Sequence, residues 1–266
     1  MADAPARARA AATSALAITP ARTLRLVLAY DGTAYHGWQL QPSLPTLQGA
    51  LLAAARRCLG EGVRVTGASR TDAGVHALGQ VVSLTTAGAL APTAVRAALN
   101  ALLPPDVRVL EVTEAGEGFD ARRAAAGKRY AYLVDNAPVA APLLRRFAWH
   151  LPVLLDVPAM RRALGALRGR HDFSAFCAAA GRGAEPTCCV RAAHVLKRKS
   201  RIVILLSADR FLHHMVRNIV GSVLEVGRGR REPSWLAGVL ASRDRTQAGA
   251  TAPAHGLVLV RVRYPR

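Results

Sequence analysis

The ten residues 67–76, GASRTDAGVH, lie between two short β-rich runs at 63–66 and 80–84. Strands at both ends would hold such a loop rigidly, and its two glycines permit a close approach to the backbone. The loop carries a cation, hydroxyls, an imidazole and the carboxylate of Asp72. A carboxylate fixed on a loop can serve as a nucleophile or a base. The alternative is an ordinary Asx-turn, because Asp is a common turn former.

The charge balance indicates a polyanionic partner. The chain has 266 residues with 36 Lys+Arg against 17 Asp+Glu, a formal net charge of +19. Only three of the basic residues are lysines, and arginine suits bidentate contacts to phosphate. Nucleic acid is therefore the partner that we predict. An anionic membrane surface and a merely basic soluble protein are the alternatives.

Targeting and cysteine patterns predict a cytoplasmic protein. No run of about eighteen apolar residues is free of charge, so no membrane-spanning helix is expected. No basic segment precedes an apolar one at the start, so secretion is not predicted. The Ala- and Arg-rich residues 1–22 are predicted to be a disordered tail. The four cysteines form neither a disulfide framework nor a CxxC metal site.

Hydrophobic periodicity predicts an α+β fold with two similar α/β sandwich halves and mainly antiparallel sheets. The first half, 23–137, carries the loop around Asp72, and the second half spans 138–266. The first is predicted to contain strands at 23–30, 107–113 and 127–134 and helices at 47–59 and 92–103. The second is predicted to contain strands at 190–196, 202–207 and 256–263 and helices at 158–167, 211–226 and 235–242. Thr46 and Gly60 are the expected ends of the first helix.

The predicted helix 211–226 brings an arginine into apolar surroundings. Met215, Ile219 and Val223 recur at helical spacing and are expected in the core. On that helix Arg217 shares a face with His214. A buried guanidinium normally needs an anionic partner, and Asp72 is the partner that we predict.

Known cofactor motifs do not occur in the chain. The GxxxxGK[ST], GxGxxG and GxSxG patterns are missing, which argues against ATP, dinucleotide and acyl-hydrolase chemistry. The histidines that could bind zinc lack the HExxH or paired-cysteine spacing, so no metal site is predicted. These histidines are His76, His171, His213 and His214.

Two tyrosines lie on one face of the predicted strand 127–134. Tyr130 and Tyr132 could pack the sheet, which is the common role of strand tyrosines. Beside a basic surface, an aromatic ring on a sheet can instead stack on an unpaired base. Both interpretations are open at this level.

These stretches together resemble the tRNA pseudouridine synthase A family over almost the whole chain after the tail. A single motif of this kind would be weak evidence, but seven in the family's order are strong. Ser69 stands where many members have glycine, whereas Arg70 to His76 match. The matching segments are 30–39, 70–77, 119–122, 128–130, 171–173, 211–221 and 253–257.

The resemblance implies an enzyme that isomerises uridine in the anticodon stem-loop of tRNA, at positions 38–40. Asp72 would be the catalytic aspartate, with Arg217 as its ion-pair partner. Arg70 would help to flip the target nucleotide, Tyr130 would stack on the flipped uracil, and Leu257 would line the base pocket. The resemblance also implies the pseudouridine synthase fold, a central basic cleft, a homodimer, and neither metal nor organic cofactor.

The required chemistry suits one positioned carboxylate. Asp72 could attack C1′ of the ribose, attack C6 of the ring, or remove the 2′ proton. A non-catalytic RNA-binding protein is the main alternative, but a purely binding surface should avoid an acid beside Arg70. A metal-dependent nuclease is disfavoured because the loop lacks clustered carboxylates.

Overall fold

The computed structural model describes residues 21–178 and 185–265 of the chain. The predicted tail therefore lies almost wholly outside the described residues. The α-helices are α1 Leu47–Leu59, α2 Pro92–Leu102, α3 Val157–Gly165, α4 Met215–Gly227 and α5 Trp235–Ser242. The strands are β1 Arg22–Tyr30, β2 Arg64–Gly67, β3 His76–Thr86, β4 Val107–Glu114, β5 Gly127–Asp135, β6 Trp149–His150, β7 Gly169–Asp172, β8 Thr187–Arg198, β9 Arg201–Ala208 and β10 Leu257–Arg263.

The sheet confirms the predicted α+β class and the mainly antiparallel pairing. Its main path runs β4-β1-β3-β10-β5-β9-β8-β7, with β2 added to β3 and β6 to β5. Only the β10–β3 and β5–β6 pairs are parallel among the described strands. The two halves do not carry separate sheets, however. The late strand β10 lies between β3 and β5 and joins all ten strands into one sheet.

Helix α1 forms where capping and periodicity predict it. The Thr46 hydroxyl accepts a hydrogen bond from the Gly49 amide, which satisfies one of the free donors of the first turn. Gly60 ends the helix at a φ of 94°. Leu47 and Leu51 are buried in the same core as the inward face of β1. This packing fixes the segment that precedes β2 and the loop around Asp72.

Helix α4 begins four residues later than predicted. His214 has a φ of 60° and a ψ of 2°, so residues 211–214 form a turn rather than the first turn of the helix. The shared helical face predicted for His214 and Arg217 is therefore wrong. The core prediction is confirmed, because Met215, Ile219 and Val223 are fully buried.

Candidate active site

The loop around Asp72 is fixed to the sheet by a buried side chain of β3. The Gln80 carboxamide accepts a hydrogen bond from the Ser69 amide at 3.2 Å and donates one to the Ser69 carbonyl at 2.6 Å. Gln80 is fully buried. Because both backbone groups of Ser69 are satisfied by one side chain, the start of the loop has a single defined position.

A second contact holds the middle of the loop from the opposite side. The Trp38 amide donates to the Thr71 carbonyl at 3.0 Å, and the Thr71 hydroxyl lies 2.8 Å from the Tyr30 hydroxyl. Gly37 has a φ of 89°, and a Cβ there would lie 2.7 Å from the Thr71 carbonyl oxygen. Glycine is therefore required at position 37 for this close approach.

The carboxylate of Asp72 forms the ion pair predicted with Arg217. The Arg217 Nη1 donates to Asp72 Oδ2 at 2.9 Å, and the Arg217 Nε donates to the Ala252 carbonyl at 2.8 Å. Both side chains are mostly buried. Within the described part of the chain, the Asp72 carboxylate accepts the hydrogen bond from Arg217 and none from an N–H group of its own loop. The Asx-turn alternative therefore does not describe this side chain.

Two histidines from the turn before α4 complete the surroundings of Asp72. The Nε2 atom of His214 lies 3.3 Å from Asp72 Oδ2, and that of His213 lies 3.8 Å from Asp72 Oδ1. The two imidazoles pack against each other with centroids 4.0 Å apart and planes tilted by 34°. Burial lowers the pKa of His214, although the Asp72 carboxylate opposes this shift. His214 is therefore a neutral imidazole near neutral pH.

The structure separates the four histidines that the sequence offered as zinc ligands. His213 and His214 join Asp72, and the ligand atoms of these three residues lie within 4.8 Å of one another. His76 instead contacts the Asp31 carboxylate at 3.2 Å. His171 lies 2.7 Å from the Arg168 carbonyl through its Nε2.

The strand tyrosines have different surroundings. Tyr132 is fully buried, and its hydroxyl donates to the Pro253 carbonyl at 2.8 Å, so it packs the sheet. Tyr130 lines a cavity, with its hydroxyl 2.8 Å from the Ser69 hydroxyl and its ring plane nearly perpendicular to that of Phe211. Burial raises the pKa of Tyr130 to about 12, so its phenol stays protonated at neutral pH.

The cavity has a volume of about 950 Å³ and brings all the predicted site residues together. Its lining includes Arg70, Asp72, Tyr130, Arg217 and Leu257. The distant segments meet here because β10 lies next to both β3 and β5. The exposed Arg70 side chain stands beside the carboxylate-bearing loop.

Basic groups dominate the charge of the cavity. Arg122, Lys128 and Arg210 add to Arg70 and Arg217, whereas Asp72 and Asp209 are its acidic lining residues. Burial lowers the pKa of Lys128 to about 8, and the charge of Arg122 adds to this effect. A cavity with this balance attracts an anionic ligand.

Comparison with known proteins identifies the family. The family model described as tRNA pseudouridine synthase matches residues 26–122 and 163–265. The chain belongs to the tRNA pseudouridine synthase family. It is 47% identical over 242 residues to a tRNA pseudouridine synthase A of Myxococcus xanthus, which covers 91% of each chain. It is 45% identical over 243 residues to that of Moorella thermoacetica, covering 91% of this chain and 99% of the relative.

The tRNA pseudouridine synthase match includes both partners of the ion pair. Asp72 and Arg70 fall in its first segment, and Arg217 and Leu257 fall in its second. Tyr130 lies in the intervening residues 123–162, which the family model does not match. Its place in the cavity therefore rests on the structure.

Several lining and supporting residues were not assigned to the site from the sequence. His36, Gln39 and Gln41 line the cavity from the loop that precedes α1. The signal for them was the concentration of hydrogen-bonding groups in a loop with few aliphatic residues. Gln80 could have been noticed as a long polar side chain next to the apolar residues of β3.

Among the described residues, none of the helices has the length and apolar character that a membrane span requires.

Proposed function

We propose that this chain isomerises uridine to pseudouridine at positions 38–40 in the anticodon stem-loop of tRNA, with Asp72 as the catalytic residue. Family membership supports the reaction class and the tRNA substrate. The observation that carries the residue assignment is the carboxylate of Asp72. It lines a basic cavity on a loop anchored to the sheet and pairs with Arg217 at 2.9 Å.

The reaction rearranges one base without adding or removing atoms. The C1′–N1 bond breaks, C5 bonds to C1′, C5 loses its proton, and N1 gains one. Asp72 attacks C1′, attacks C6, or removes the 2′ proton, and each route needs a carboxylate held close to the ribose or the ring. The anchored loop supplies that fixed position. No metal or organic cofactor takes part in the proposed reaction.

The uridine must leave the helical stack before it reaches Asp72. Extruding a base costs a few kcal/mol, which contacts in the pocket and to the phosphates offset. Arg70 is exposed at the mouth of the site and is the residue proposed to assist flipping and hold the vacated place. Tyr130 and Leu257 line the same cavity and are proposed to hold the uracil after it detaches.

Tyr130 suits stacking better than proton transfer. Its phenol, with a pKa raised to about 12 by burial, is a poor base at neutral pH. Its hydroxyl already has a partner in Ser69, and the ring packs against Phe211 with the two ring planes nearly perpendicular. These contacts fix the orientation of the ring, which is the property that stacking on a flipped base requires.

The proposal includes a homodimer in the cytoplasm in which both subunits contact the tRNA. The net charge of +19 supports a partner with many phosphates. Light scattering of the purified protein should give twice the 28.2 kDa mass of the chain. A monomer that stays monomeric with tRNA would contradict this part of the proposal.

The deciding experiment is incubation with uridine-labelled tRNA, followed by nucleoside analysis. Pseudouridine should appear with the wild type, and a tRNA with cytidine at 38–40 should yield none. A non-catalytic RNA-binding protein would bind both RNAs and convert neither. A metal-dependent nuclease would shorten the RNA. Pseudouridine formed equally in the substituted tRNA would refute the positions and leave the reaction class intact.

A further inference from the structure

We propose that Asp72, His213 and His214 form a binding site for a first-row transition ion of the zinc class, and that an ion bound there inhibits the enzyme. Each of the three residues offers a ligand atom, and these atoms lie within 4.8 Å of one another. The binding part of the proposal stands on this arrangement alone. The inhibitory part rests on the proposed function of Asp72.

The spacing of the three groups suits a tetrahedral ion. Zinc lies about 2.0–2.2 Å from imidazole nitrogen and carboxylate oxygen, so two of its tetrahedral ligands are about 3.3–3.5 Å apart. His214 Nε2 lies 3.3 Å from Asp72 Oδ2, inside this range. His213 Nε2 lies 3.8 Å from Asp72 Oδ1, and a small rotation of its exposed ring closes the difference.

The structure also contains an outer contact of the kind that supports metal ligands. Carboxylates that bind metals are themselves usually held by a hydrogen bond from a second residue. Arg217 supplies one to Asp72 Oδ2 at 2.9 Å and is anchored in turn to the Ala252 carbonyl. Oδ2 uses one lone pair for this bond and keeps a second one on the carboxylate, while Oδ1 lies nearer His213, so either oxygen can bind the ion. The cavity offers room for water as the fourth ligand.

The donor set selects the class of ion. Two imidazole nitrogens and one carboxylate oxygen suit zinc, cobalt, nickel and copper. Magnesium prefers an octahedral shell of oxygens and keeps most of its water, so the site should not hold it. The basic surroundings lower the affinity for any cation. An ion is therefore expected to exchange with solvent rather than to be a permanent part of the protein.

An ion at this site and a uridine at the same carboxylate exclude each other. Asp72 cannot attack a ribose or a ring, or remove a proton, while its carboxylate binds a metal. Competition of this kind is reciprocal, because each ligand weakens the binding of the other by the same factor. Zinc should therefore raise the tRNA concentration needed for turnover, and tRNA should weaken zinc binding.

Binding is tested by calorimetry with zinc chloride and the metal-free, RNA-free protein. One zinc should bind per chain. His213→Ala, His214→Ala and Asp72→Asn should each weaken binding at least about tenfold, since loss of an outer contact alone costs 10–100-fold. His36→Ala is the matched control, because His36 lines the same cavity without joining the cluster. No saturable binding, or equal losses in all four variants, would overturn the site.

Cobalt(II) provides a second readout that does not depend on activity. Its visible absorption should show a low-coordinate site in the wild type and in His36→Ala, and that signal should be lost in His213→Ala. An octahedral spectrum identical to that of free cobalt would refute the proposed geometry.

Inhibition is tested by single-turnover pseudouridine formation with increasing zinc. Turnover should fall over the range of zinc concentration in which zinc binds, and magnesium should not cause this fall. His213→Ala should raise the zinc concentration needed for half inhibition by the same factor by which it weakens zinc binding. Zinc that raises turnover, or inhibits His213→Ala at the same concentration, would refute the inhibitory role. An enzyme inactive without any metal would instead count against the proposed function, while calorimetry still decides the site.

Discussion

Replacement of Asp72 by asparagine separates the chemistry from the binding of RNA. The amide is nearly isosteric with the carboxylate and removes only its charge and basicity. Its oxygen can still accept the bond from Arg217, now as a weaker contact. Arg217 keeps its charge but loses its anionic partner, and removal of one partner costs about 3–5 kcal/mol in a fully buried pair. Because both side chains keep some exposure to solvent, Asp72→Asn should lose about 1–3 kcal/mol of stability and remain folded.

The effects on turnover and on affinity should have opposite signs. A positioned base raises the rate about 10²–10⁴-fold, so the turnover rate of Asp72→Asn should fall at least about a hundredfold. If the carboxylate is a nucleophile, turnover should fall below detection. Affinity should not fall. One negative charge about 8 Å from a phosphate in water costs roughly 0.5 kcal/mol, so its removal should leave tRNA binding unchanged or about twofold tighter.

Both quantities should be measured on one preparation. Filter binding gives the affinity, a single-turnover assay with saturating protein gives the rate, and circular dichroism verifies the fold. Arg245 donates a separate, partly buried hydrogen bond of 3.1 Å to Asn218, and Asn218→Asp serves as a control that changes a charge elsewhere in α4. Weakened binding by Asp72→Asn with a normal rate for the bound RNA would make Asp72 a structural residue and refute the reasoning.

Four further outcomes are expected. Tyr130→Phe should keep most of the activity in single-turnover measurements. Tyr130→Ala should lose activity, because it removes base stacking worth about 1–3 kcal/mol. Equal losses of activity in the two variants would reveal a chemical role for the hydroxyl. The tRNA affinity of the +19 chain should fall steeply with salt, and a flat plot of log affinity against log salt would contradict the RNA-binding function. Turnover should survive exhaustive chelation when tRNA folding is controlled, and a loss that zinc or magnesium restores would contradict metal-free catalysis. Burial lowers the pKa of His76 from 6.5, so the unfolded chain takes up its proton first as the pH falls below 6.5. The free energy of unfolding should decrease there, and His76→Gln should weaken this pH dependence in denaturant titrations; an unaltered dependence would show that His76 does not cause it.

The local elements of the fold could be predicted because short-range rules determine them. Thr46 and Gly60 mark the two ends of α1 as capping predicts, and alternating leucines identify β1. The joining of the halves into one sheet could not be predicted in this way. It depends on Val258 and Leu259 of β10 pairing with His76 and Ala77 of β3, far away along the chain. Periodicity carries no information about such a pairing.

The candidate site likewise has a part that could be predicted from the sequence and a part that could not. The Asp72–Arg217 pair could be predicted from chemistry, since a guanidinium on an apolar helix needs an anion. The contacts of His213 and His214 with Asp72 could not be predicted, because the predicted helix 211–226 does not allow for the left-handed backbone of His214. That conformation is uncommon for residues other than glycine and ends the helical periodicity. It is the feature that allows His213 and His214 both to face Asp72.

The contacts around Asp72 explain how a basic cavity can hold an acid in one defined position. A lone carboxylate among arginines would be drawn toward whichever cation lay nearest. Here Gln80 and Trp38 fix the loop through its backbone, and Arg217 fixes the carboxylate. All these contacts exist in the protein before RNA binds, so tRNA need not order the Asp72 carboxylate. Binding free energy is then available for the separate cost of extruding the uridine.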